Sequence, residues 1–180
     1  RAEFARTLEE TSERVLGEID RLDTIARAFS RFGAPVDEQE PLAPVDAAAV
    51  AREVVQLYGL SEDGARVRLD APAPVMAQLR RDELKEVLVN LLENARDAGA
   101  RDVMVRAGAG CLSVTDDGRG IAPELLPRIF EPRFSTTTSG SGLGLAIVRR
   151  LVESWAGRVE VASEVGRGTV VTIHLPEQGR

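Results

Sequence analysis

Between residues 2 and 32 the positions Leu8, Thr11, Val15, Glu18, Leu22, Ile25, Phe29 and Phe32 follow one another at alternating spacings of three and four, and all but Thr11 and Glu18 are large and apolar. The pattern predicts one long N-terminal helix, roughly 45 Å at ~1.5 Å per residue, more than a small domain covers. Its seam calls for a partner helix. Gly33 and Pro35 end it, and Pro35, Pro41 and Pro44 among acidic residues read as an extended linker over 34–45, with the domain boundary there.

Beyond the linker the period changes from element to element. Asp46 stands as the N-cap of a helix running to Tyr58, with Val50, Val54 and Leu57 on one face. Short strands are expected around 67–69 and 75–77, parted by Pro72 and Pro74. A helix over 82–98 carries Leu84, Val87, Leu88, Leu91, Leu92 and Ala95 on a broad apolar face, which marks it as a core helix. Strands follow at 102–106 and 112–115, then a short helix near 123–129. The stretch 131–141 is polar and rich in Ser, Thr and Gly, with little to bury, and reads as a mobile loop. A helix over 143–156 and a hairpin of strands at 158–162 and 168–175 close the pattern.

A length of 180 residues suits one globular core with a helical appendage. The net charge of −6 argues against a general electrostatic grip on nucleic acid or anionic lipid. No apolar run approaches the ~18 residues that span a bilayer, and RAEFARTLEE lacks the basic end and apolar middle of a signal peptide. These residues are therefore expected to lie in the cytoplasm without touching a membrane, any inner-membrane anchor belonging to another part of a longer protein. Cys111, the single cysteine, can form neither an internal disulfide nor a cysteine zinc site.

Three polar constellations interrupt the apolar pattern. Asn90 and Asn94, four apart on the core helix, project from one face, and buried amides at that spacing suit oxygen ligation of a hard cation such as Mg²⁺. The turn Asp116-Asp117-Gly118-Arg119-Gly120 follows a strand; its glycines allow close backbone approach, and a carboxylate beside them can accept from an exocyclic amine such as that of adenine. Gly140-Ser141-Gly142-Leu143-Gly144 leads into an apolar helix, where free amides and the helix dipole bind phosphate oxygens. This segment does not follow a strand and lacks Gly-Lys-Ser/Thr, which disfavours a dinucleotide-binding fold and a P-loop.

Taken in order, Asn90–Asn94, Asp116–Gly120, Phe130-Glu131-Pro132-Arg133-Phe134 and Gly140–Leu145 resemble the N box, first glycine box, F box and second glycine box of sensor histidine kinases. The resemblance implies an α+β fold: a two-layer α/β sandwich of the Bergerat ATP-binding (GHKL) type, a mixed sheet with three helices on one face, preceded by the long helix. It implies that Asn90 and Asn94 hold Mg²⁺ and phosphate oxygens and that Asp116 reads the adenine amine. By the same resemblance Gly118 and Gly120 admit the nucleotide, and Gly140, Gly142, Leu143 and Gly144 form the phosphate side. Phe130, Arg133, Phe134 and Thr138 would belong to the lid. Residues 1–33, through Ile19-Asp20-Arg21-Leu22 and Phe29–Pro35, resemble the second helix of the dimerisation hairpin, which implies a homodimer through 4–32. Residues 46–180 then form the catalytic ATP-binding domain.

Three differences from relatives accompany the resemblance. Many relatives carry lysines where this chain has Asp97 and Thr138, so the phosphate charge falls to Mg²⁺, amides or arginines, with Arg96 and Arg133 as candidates. The family's phosphate-accepting histidine has no counterpart here; His174 is expected on a surface or edge strand. Related ATPases place a glutamate base where this chain has Asn90, which accepts no proton at neutral pH. The implied activity is phosphoryl transfer from Mg-ATP to a histidine on a separate helix, and from there to a response regulator receiver domain, with ATP and ADP as ligands. A nucleotide-gated interaction module and a serine kinase of the anti-sigma type are the alternatives on the same fold.

Overall fold

The computed structural model describes residues 40–58, 65–134 and 142–176. The helix expected over 2–32 lies outside the described residues, as do Thr138, Gly140 and Ser141. The chain divides into two units, 1–39 and 40–180, and every described element belongs to the second.

The first element was expected to be linker. Ala43–Asp46 (β1) instead pairs antiparallel with Met76–Leu79 (β3), Pro44 lying opposite Gln78. Proline gives no N–H to a ladder, but this two-stranded ribbon consists only of edges, where it is tolerated. Asp46 then caps Ala47–Tyr58 (α1): its Oδ1 accepts from Ala48 N–H at 3.0 Å and from Val75 N–H at 3.0 Å. One carboxylate thus starts a helix and fastens it to the approach to β3.

α1 buries Ala47, Ala48, Val50, Ala51 and Val54. Leu57, expected on the same face, is 71% exposed. The inter-helix place at this end is taken by Tyr58, whose hydroxyl donates to Glu93 Oε1 at 2.7 Å. Arg81–Asp97 (α2) buries the six residues that its pattern singled out, from Leu84 to Ala95. Gly144–Ser154 (α3) buries Ala146, Ile147, Val148, Leu151 and Val152. The stretch near 123–129, expected to be a short helix, is a single 3₁₀ turn at Leu126–Arg128, where Pro127 lacks the N–H a longer helix needs.

Five strands form the main sheet: Arg66–Asp70 (β2), Asp102–Gly108 (β4), Cys111–Asp116 (β5), Arg158–Glu164 (β6) and Gly168–His174 (β7). Their order is β2-β4-β5-β7-β6, with β2 and β4 parallel and the other pairs antiparallel. Alternate residues Val103, Val105, Leu112, Val114, Val171 and Ile173 are buried beneath the helices. The opposite face carries ion pairs such as Arg68–Asp102 at 3.3 Å. At the far end of α3, Trp155 is 1% exposed, and its indole N–H donates to Glu83 Oε2 at 2.6 Å. Arg80 pairs with the same carboxylate at 3.3 Å, so the start of α2 and the end of α3 are clasped together.

Candidate functional site

The site lies where α2, the start of α3 and the end of β5 meet. Asn90 Nδ2 donates to the Glu86 carbonyl one turn back, at 2.8 Å, which turns Oδ1 away from its own helix. A Cβ on Gly144 would stand 3.2 Å from Asn90 Oδ1 and 3.3 Å from Asn94 Oδ1. Both amide oxygens therefore converge on the first residue of α3, where an added Cβ would meet them more tightly than ordinary van der Waals contact. Asn94 Nδ2 is buried without a hydrogen-bond partner, a costly condition that a ligand at this place would relieve. The N-cap Leu143 offers no side-chain cap and no acidic residue stands in the first turn of α3, so its N-terminal amides and dipole are turned toward the same space. Oxygen donors beside a helix N-terminus suit a phosphate-bound hard cation. Among the described residues no three His, Cys, Asp or Glu side chains form an alternative metal group.

Asp116 ends β5 on the inner face of the sheet. Its Oδ1 accepts from Gly118 N–H at 2.8 Å, and a further amide, that of Thr169, donates to the carboxylate. Burial pushes its pKa above the ordinary aspartate value, against the opposing pull of these two amides. The neighbouring Asp117 does something else: it accepts from the Arg101 and Asp102 amides at 2.7 and 2.9 Å, which hold its carboxyl below the usual range. Gly118 and Gly120 are needed for approach to the protein's own atoms. A Cβ on Gly118 would lie 2.7 Å from Ala98 Cβ, and one on Gly120, where φ is +69°, only 2.1 Å from the Glu164 carbonyl oxygen.

Phe130, Arg133 and Phe134, expected to belong to a lid, lie just before a segment outside the described residues. Arg133 N–H donates to the Gly142 carbonyl at 2.9 Å, and a Cβ on Gly142 would meet the Arg133 backbone at 2.6 Å. The two ends of that segment are thus fastened to each other. The Arg128 guanidinium lies 4.8 Å from the Phe134 ring centre, and that of Arg149 lies 5.5 Å from Phe130. Both phenylalanines are only partly buried, and Leu143 likewise lies at the edge of the site.

Arg96 does not approach the asparagines. It pairs with Glu93 on the α1 side of the helix, two residues and therefore about 200° around from Asn94. Arg133 is exposed. His174, expected on a surface or edge strand, is on the interior strand β7 with its side chain 34% exposed and Nε2 3.1 Å from Glu160 Oε2. The residues that the sequence reading missed are Thr169 and Ser163. They lie opposite one another on β7 and β6, and Thr169 lies opposite Asp116 on β5, so the three form one row across the sheet. The signal for them was Gly166-Arg167-Gly168-Thr169, in which Gly168 at φ +104° passes the Asp116 carbonyl so closely that a Cβ would lie 1.9 Å from its oxygen.

Residues 80–179 match the family described as histidine kinase-, DNA gyrase B-, and HSP90-like ATPase, and the chain belongs to that family. It is 44% identical over 101 residues to the sensor histidine kinase ZraS of Escherichia coli K12, covering 53% of this chain and 22% of ZraS. To the sensor-like histidine kinase SenX3 of Mycobacterium tuberculosis H37Rv it is 34% identical, over 97% of this chain and 47% of SenX3. Among solved structures, full-length ShkA in complex with AMPPNP superposes with a TM-score of 0.68 at 35% identity, covering 82% of this chain and 33% of that one. The mycobacterial sensor histidine kinase MprB gives 0.64 at 28% identity, over 75% and 97%. The fold is the Bergerat fold of the GHKL superfamily, and the described unit is the ATP-binding catalytic domain of a sensor histidine kinase. The chain spans less than half the length of these curated relatives.

Proposed function

We propose that this chain aligns the γ-phosphoryl group of Mg-ATP for transfer to a histidine on a separate helix, for relay to an aspartate of a response regulator receiver domain. The observation that carries this reading is the convergence of Asn90 Oδ1 and Asn94 Oδ1 on Gly144, beside the buried and unpartnered Asn94 Nδ2. Asn90 and Asn94 would hold Mg²⁺, whose charge offsets that of the phosphates. The α3 amides receive phosphate oxygens, and Asp116 accepts from the adenine amine. Asn90 takes no proton from water, so bound ATP is hydrolysed slowly and remains for an imidazole that reaches it in line. The missing lysines leave the amides and the metal as the principal counter-charge. Arg96 is committed to Glu93 and makes no phosphate contact in this reading.

The match to SenX3 along 97% of the chain supports extending the reading to residues 1–33 as a dimerisation helix, paired through 4–32. No helix among the described residues is long and apolar enough to cross a membrane. The test is transfer. The chain is incubated with γ-³²P-ATP and a helical hairpin carrying the acceptor histidine. Acid-labile label on the hairpin, and none on the chain alone, is expected. Label that is stable to acid would favour a serine kinase, and nucleotide binding without any transfer an interaction module.

A further inference from the structure

The row Asp116–Thr169–Ser163 contains one more choice than the site so far has used. Ser163 is engaged three ways: Ile121 N–H donates to its oxygen at 2.8 Å, the Gly168 carbonyl accepts from its hydroxyl at 2.9 Å, and Thr169 Oγ1 lies 2.9 Å away. A serine hydroxyl has one proton and two lone pairs. With that proton on Gly168 and one lone pair on Ile121, the contact with Thr169 is made only if Thr169 donates. The Thr169 oxygen is then left with lone pairs alone. Thr169 is 8% exposed, so this polarity is set by neighbours and not by water. Its own backbone N–H is spent on Asp116.

We propose that Ser163 is a positioning residue that determines base specificity: by taking the Thr169 proton it makes Thr169 a second acceptor beside the Asp116 carboxylate. Two adjacent acceptors suit a ligand that brings donors, and a purine with an exocyclic amine at position 6 does so. With both acceptors facing position 6, a 6-oxo purine presents an acceptor there and meets two others, its N1–H donor lying at the neighbouring ring position. Without the Ser163 oxygen, the Thr169 hydroxyl is free to turn and donate to that oxo group, so discrimination falls. The inference rests on the reading of Asp116 as the base-recognising carboxylate.

The experiment is calorimetric titration of the whole 180-residue chain with Mg-ATP and with Mg-ITP, comparing wild type, Ser163→Ala and Ser163→Thr. The wild type is expected to prefer ATP at least tenfold. Ser163→Ala should cut the ATP/ITP ratio at least threefold, chiefly by tighter ITP binding, and Ser163→Thr should restore the ratio to within twofold of wild type. A purely structural role would weaken both nucleotides by one factor and leave the ratio unchanged, which would overturn the proposal. If the alanine variant fails to fold, Ser163→Cys, of similar volume but a weak acceptor, is read by the same criteria. Absence of binding of either nucleotide by the wild type would instead overturn the base-site reading, and the proposal with it.

Discussion

Asn94 Oδ1 lies 3.3 Å from the point where a Cβ on Gly144 would stand, and Asn90 Oδ1 3.2 Å, so a single methyl would take up the space between α2 and α3 at this point. Gly144→Ala is therefore expected to place a methyl group between the amide oxygens and the ligand. Alanine is a better helix former than glycine by about 1 kcal/mol, so stability should be kept or slightly raised. Calorimetry should show Mg-ADP affinity reduced at least tenfold, with a melting temperature no lower than wild type.

The clasp between Glu83 and Trp155 is a charge-assisted hydrogen bond in a buried setting. Glu83→Gln, which keeps the shape but removes the charge that also serves Arg80, is expected to cost about 1–3 kcal/mol. Urea denaturation followed by Trp155 fluorescence, the only tryptophan signal, measures it.

Tyr58 carries a pH dependence whose sign can be worked out. Burial, reinforced by Glu93, raises its pKa above the ordinary tyrosine value of 10.0. The unfolded chain therefore loses the phenolic proton first as pH rises, and stability drops from about pH 10 upward. Tyr58→Phe should cost about 0.5–1.5 kcal/mol at pH 8 by loss of the hydrogen bond to Glu93. In urea melts at pH 8 and pH 11 the gap between wild type and variant is expected to narrow at the higher pH.

Asp116 shifts in the same direction from the aspartate value of 3.8, its burial outweighing the amides that favour its charge. Folding binds a proton between the unfolded and folded pKa, so this carboxylate costs stability above that window and the cost vanishes below it. Asp116→Asn should therefore melt no lower than wild type at pH 7, and any advantage should disappear near pH 3. Nucleotide binding should be lost at both, because an amide offers the base both a donor and an acceptor in place of a carboxylate.

The elements that can be read from the chain are those whose pattern is set by burial on one side. Leu84 to Ala95 specify α2 because each apolar residue meets the sheet or a neighbouring helix. Asn90 and Asn94 stand out in the chain for the converse reason, as amides that interrupt an apolar helical pattern. Other features depend on partners distant in sequence. β1 is a strand only because Met76–Leu79 lies beside it. Leu57 is left exposed because Tyr58 finds Glu93, 35 residues away. Thr169 and Ser163 come into one row with Asp116 through cross-strand register, which no local spacing reveals. The glycines of the Asp116 loop were legible as necessary, but the atoms that require them, Ala98 and Glu164, were not.

The most direct measurement is titration of the chain with ADP in the presence and absence of Mg²⁺, alongside Asn94→Ala. The expected result is binding in the micromolar to millimolar range that weakens when Mg²⁺ is withheld and is lost in the variant. Binding of equal strength in all three titrations would contradict a site built on the two asparagines.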